Sequence, residues 1–223
     1  FGSGRTATNI PANNRQRQTP AITCAGVACW SMTKAAPPES PLTREERLRR
    51  VLLVALTFAR NMAYYRAARD GSGQYVGPGT QFAITADGNF IDMATLEWCK
   101  LVGGPNEQHD WRKVVTDPAA FGPALLAHIG MTQPEFADYV KAVRTYRDKF
   151  VAHLDSERRM TPPDMGPLWA SILYYYAHVL NHEMSEAEAD KARAGLRASN
   201  LPTDIGDYYR ERFNEARAIY RTV

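Results

Sequence analysis

Long apolar runs, paired cysteines and the usual nucleotide-binding loops are all missing from this chain of 223 residues. The longest apolar run, Val51 to Leu56, is far shorter than the ~20 residues a membrane-spanning helix needs, so a membrane role has little support. Three cysteines, Cys24, Cys29 and Cys99, form no CxxC pair, which argues against a disulfide framework. Cys99 lies on an apolar helical stripe, where a reduced, buried and inert thiol is expected, and a reducing cytoplasm fits. No Walker loop, no GxGxxG after a strand, no GxSxG elbow and no HExxH pair occurs, so the common nucleotide, dinucleotide and hydrolase classes lose support. No cofactor is implied. Charge of one sign is lacking too. The formal charge is +3, but residues 1–31 hold Arg5, Arg15 and Arg17 with no acid. From Met32 onward 24 of the 27 basic residues face 24 acids, so a nucleic-acid site has to be a local patch.

What is present is helical patterning. Residues 1–42 read as a disordered leader rich in Gly, Thr, Asn, Gln and Pro, with Met32 as the natural start and the stretch before it non-native or upstream. Residues 43–184 read as a helical bundle and 185–223 as a helical extension packing on it. Thr43-Arg-Glu-Glu46 is a capping box, followed by Leu48, Val51, Leu52, Ala55, Leu56, Ala59, Met62 and Ala63 at three- and four-residue steps. That helix should end near Asp70-Gly71, where a glycine-rich loop begins. Phe82-Ala-Ile-Thr85 suggests a short extended piece before an Asp87-Gly88 turn, with Asn89 capping a second helix through Leu101. A helical turn over 109–115 and a helix opened by Asp117-Pro118 and closed at Gly130 follow. Thr132-Gln-Pro-Glu135 repeats the capping box and opens a stripe of Phe136, Val140, Val143, Phe150 and Leu154, broken by Arg147. Pro162 and Pro163 end it. Leu168 through Leu180 form another amphipathic helix, and 187–196 and 205–220 supply two more. The expected fold is all-α.

Arg147, Asp148 and His153 crowd together inside this pattern. Arginine offers a planar fork matched to phosphate oxygens, and histidine titrates near neutral pH. Cleaving RNA through its own 2′-hydroxyl needs a proton taken, a proton given and charge stabilised on the phosphate; Arg and His cover two of these needs without a metal. On an ideal helix residues six apart differ by roughly 120°, so Arg147 and His153 occupy adjacent faces, and a site completed by a second chain across a two-fold axis is the preferred arrangement.

The run Arg147-Asp-Lys-Phe-Val-Ala-His153 resembles the motif of the HEPN superfamily, an Arg and a His separated by a short spacer, with Asp148 at the often polar position after the Arg. The wider phrase from Tyr146 to Asp155 is similar to the abortive-infection and phage-defence subgroup. The resemblance implies an antiparallel helical bundle acting as a metal-independent endoribonuclease, a homodimer, and a toxin or phage-defence effector with RNA as substrate. An antitoxin or a nucleotidyltransferase is the implied protein partner. It also implies the alternative of a non-catalytic module that binds a nucleotide or a partner protein.

Tyr146 lies on the His153 stripe and suits base stacking or a core position; Lys149 and Arg144 suit backbone phosphates or a solvated face. Arg147 on its own suits an intrahelical ion pair, and His153 a helix C-terminus. Asp148 suits either orienting a neighbour or solvation. His178 and His182, four apart with Glu183 adjacent, could share a ligand, but no third ligand accompanies them and no metal site is expected.

Overall fold

The stripe predicted for the first helix is the axis of the molecule. In the computed structural model, which describes residues 42–152, 162–185, 187 and 202–221, α1 spans Arg44–Ala67, and all eight stripe residues are buried. Phe58 joins them, fully enclosed. Each of the valine, leucine, methionine and phenylalanine side chains contributes about 1.5–3 kcal/mol when removed from water, and the alanines less, so a helix buried along its whole length organises what surrounds it. The capping box forms as read: the Glu46 amide donates to Thr43 Oγ1 at 3.2 Å, and the Thr43 amide donates to the Glu46 carboxylate at 2.9 Å.

Around α1 pack α2 (Gln81–Val102), α6 (Met165–His178) and α7 (Ile205–Arg221). The short α3 (Trp111–Val114) and α4 (Pro118–Ile129) connect them, with α5 (Gln133–Tyr146) carrying the motif. Asp117 caps α4 by accepting from the Ala120 amide at 3.0 Å, and Gly130 ends it at φ +71°. That left-handed conformation suits glycine and strains other residues. Thr132 and Glu135 open α5 with their own capping box. The described residues form an all-helical bundle without strands; one isolated antiparallel bridge joins Arg69 to Tyr75. No helix among them is long and apolar enough to cross a membrane. Leader residues 1–41 and most of the expected 187–196 helix lie outside the described residues.

Buried polar links tie the layers together. Trp98 on α2 is fully buried and donates through its indole N–H to Ser171 Oγ on α6 at 2.8 Å, and Ser171 donates to the Leu168 carbonyl. Asp110, also fully buried, caps α3 through the Arg112 amide and accepts from the Gly104 amide at 3.1 Å. From α7, the Arg217 guanidinium donates to the carbonyls of Ala67 and Arg69 at 2.7 and 2.9 Å, satisfying groups left open at the end of α1.

One expectation fails in a definite way. Phe82 to Thr85 is not extended, Asp87-Gly88 is not a turn, and Asn89 caps nothing: α2 runs through all of them from Thr80, whose hydroxyl accepts from the Ala83 amide at 3.2 Å. The local turn signal loses to a tertiary ion pair. Asp87 is buried and receives both nitrogens of the Arg69 fork, at 2.7 and 2.8 Å, while Arg69 stacks 3.4 Å from the Tyr65 ring. A helical Asp87 faces this fork, and the glycine penalty of ~1 kcal/mol is smaller than a bidentate, largely desolvated pair. Gly88→Ala is therefore expected to raise stability by about 0.5–1 kcal/mol, because a Cβ there meets nothing within 4 Å. Urea unfolding measures this, and destabilisation would return residue 88 to a turn.

Candidate functional site

Arg147 follows the last turn of α5, and from it the backbone leaves α geometry: Arg147–Ala152 is π-helical. Such widened turns are rare and recur at functional sites. Here the six-residue widening coincides with the motif.

The Arg147 side chain is 18% exposed and held on two sides. Its Nε donates to Asp148 at 2.8 Å, and its NH1 donates to Glu107, on the loop between α2 and α3, at 3.3 Å. The Asp148 carboxylate raises the guanidinium pKa further, against the opposing effect of burial. This explains an arginine interrupting an apolar stripe: the side chain is largely buried, near enough to Cys99 to act on its thiol, while its head is paired by two carboxylates. Cys99 is the buried, unpaired thiol expected, and burial pushes its pKa up to about 11, so it remains a neutral thiol.

The other predicted residues divide. Asp148 is exposed and engaged with Arg147, and with Arg144 it lines a shallow groove of about 300 Å³ on the outer face of α5. Arg144 is exposed and Lys149 half-buried. Tyr146 faces the other way. It is 3% exposed and donates its hydroxyl to Asp92 on α2 at 2.8 Å, which makes it a strut between helices rather than a stacking platform for a base. Burial lifts the Asp92 carboxyl above its ordinary range, opposed by the Tyr146 hydroxyl. His153 lies outside the described residues, as do the side chains of Phe150 and Leu154.

His178 is accounted for without a metal. Its ring lies 4.7 Å from the Phe121 ring, and its Nε2 is 3.1 Å from Glu183 Oε1. Among the described residues no three His, Cys, Asp or Glu side chains gather as metal ligands.

A cluster that the sequence does not announce surrounds His109. The loop that supplies Glu107 continues to His109, whose pKa is lowered by burial and by the cations Arg50, Arg47 and Lys100. Its Nδ1 is buried without a hydrogen-bond partner. With Arg47 and Lys113 it lines a cavity of about 320 Å³. The sequence signal was Arg47 and Arg50 three apart on α1, but nothing local joins them to a histidine 59 positions later than Arg50. Comparison with protein-family models, curated proteins and solved structures gave no match to this chain.

Proposed function

We propose that the protein is a metal-independent endoribonuclease of HEPN type, working as a homodimer in a toxin or phage-defence role. What carries the reading is the coincidence of motif and backbone: the helix widens over Arg147–Ala152, directly before His153, with the arginine fork held at the rim by two carboxylates. Arg147 binds the scissile phosphate and stabilises the charge that develops on it, and His153 moves the proton. A phosphate dianion or phosphodiester competes for the fork most readily at the longer Glu107 contact, so Asp148 keeps the guanidinium oriented while NH1 exchanges partners. The basic cluster of Arg47, Arg50, Lys113 and His109, reached through the Glu107 loop, supplies backbone contacts that the motif alone lacks.

The test is cleavage of RNA by purified protein in EDTA. Products ending in 2′,3′-cyclic phosphate are expected, with a dimeric mass in solution. Cleavage that requires added metal, or products ending in 3′-hydroxyl, would sink the proposal. The second reading, a non-catalytic module for a nucleotide or a protein partner, draws on the same ion pairs, because an arginine already paired with Asp148 and Glu107 also serves as a structural link. Binding without turnover would select it.

A further inference from the structure

A cavity of about 810 Å³ lies away from the motif, lined by the end of α1, the loop after it and α7. Three arginines line it: Arg66, Arg69 and Arg217. Arg69 is held by Asp87, whereas the hydrogen bonds of Arg66 and Arg217 among the described residues go to backbone carbonyls, and Arg217 helps to hold the Asp70 carboxyl below its ordinary range. Arg66 lies flat near two rings, 5.7 Å from Trp169 and 5.9 Å from Tyr209, and one long contact of 3.5 Å to the Met165 carbonyl uses a single nitrogen. Arg217 uses only NH1 for the carbonyls at the end of α1. These contacts leave further N–H donors on both forks, on residues that line the cavity. The one acid on its wall, Asp70, is turned to its own loop, accepting from the Ser72 amide and hydroxyl and the Gln74 amide.

The α7 wall that carries Arg217 is also aromatic. Tyr209 and Phe213, one turn apart on α7, stack with centroids 6.0 Å apart, and Tyr209 also meets Trp169 at 4.5 Å. Exposed Asn214 stands at the edge with an amide able to donate and accept. Guanidinium forks match phosphate oxygens, and a ring face at their side matches a purine or pyrimidine. The volume lies within the range of small-molecule sites, roughly 300–1,000 Å³.

We propose that this cavity binds a free nucleoside monophosphate, its phosphate held by Arg66 and Arg217 and its base stacked against Phe213. The site is independent of Arg147 and does not rest on the ribonuclease reading.

Equilibrium titration of the full chain with AMP, adenosine and inorganic phosphate tests it. AMP is expected to bind with a Kd below about 1 mM, and adenosine and phosphate at least about tenfold more weakly. Asn214→Glu places a negative charge at an exposed edge without touching the core, and Arg66→Gln removes a fork; each is expected to weaken AMP binding about tenfold or more, or roughly 1.4 kcal/mol. Phe213→Leu should narrow the difference between AMP and phosphate. AMP binding that falls in Arg147→Ala and not in Arg66→Gln would put the nucleotide at the motif and overturn the proposal. No saturable AMP binding, AMP binding equal in wild type and Asn214→Glu, or phosphate binding as tightly as AMP would each overturn the proposal.

Discussion

Replacing His153 with alanine is expected to lower RNA cleavage by about 10²–10⁴-fold while the helical circular dichroism and melting midpoint stay at wild-type values. The size follows from the proposed role, since positioned proton transfer supplies that much. Arg147→Ala is expected to lose about 10²–10³-fold, the usual effect of removing one group that stabilises transition-state charge. Arg147→Lys should recover little, because the ammonium cannot hold Asp148 through one nitrogen and a phosphate through another. The sharper experiment concerns Glu107. If Arg147 binds RNA as proposed, its 3.3 Å contact to Glu107 competes with the phosphate, and Glu107→Gln is then expected to leave cleavage equal or higher and to tighten RNA binding. Under a purely structural role for the pair, Glu107→Gln and Arg147→Ala lower stability together and neither selectively affects turnover. Parallel rates, RNA affinities and urea midpoints for the variants separate the two. Wild-type rates in His153→Ala would remove the mechanism altogether.

Local chemistry made the all-helical fold readable. The capping boxes at Thr43 and Thr132, the Asp117-Pro118 start and the Gly130 stop each act within one turn, and each forms where its residues occur. The α1 stripe was readable for the same reason, since burial on a helix repeats at a fixed spacing. The start of α2 was not, because Asp87-Gly88 is a turn signal only until Arg69, eighteen residues earlier, closes on the carboxylate. Tyr146 shows the limit of reading faces from an ideal helix: its stripe position was clear, but only the folded chain sets Asp92 opposite its hydroxyl. At Arg147 the sequence marked an anomaly in an apolar stripe without its cause, since Glu107 lies forty residues away and the widened turn carries no local code. Arg66 and Arg217 are 151 positions apart and share a cavity only through the docking of α7 on α1.

Glu183→Gln is expected to destabilise the fold by about 2–3 kcal/mol at neutral pH and by progressively less in acid. The carboxylate sits 8% exposed in the π-helical turn Val179–Glu183 that extends α6. It gathers two remote groups, the Arg44 guanidinium from α1 at 2.5 Å and the Thr116 amide and hydroxyl at 2.9 and 2.6 Å, with the His178 ring one turn back on its own helix. Burial pushes the Glu183 pKa up, but the hydrogen bonds from Thr116, His178 and Arg44 outweigh it and hold the carboxyl below its ordinary value. A carboxyl whose folded pKa lies below its unfolded value, about 4.3, contributes stability that is fully present above that unfolded value. The contribution fades as pH falls through the folded pKa. Glutamine keeps one acceptor for the Thr116 amide but turns an NH₂ toward donors on Arg44 and Thr116, leaving those donors unmatched. Because the neutral amide does not titrate, the wild-type advantage should shrink between about pH 5 and the folded pKa, while Glu135→Gln, at an exposed capping box, changes stability much less. Urea unfolding at stepped pH reads both variants. A penalty for Glu183→Gln that stays constant down the acid range would show that its neighbours recognise the shape of the side chain and not its charge, and the link from α6 to α1 would then be one of packing alone.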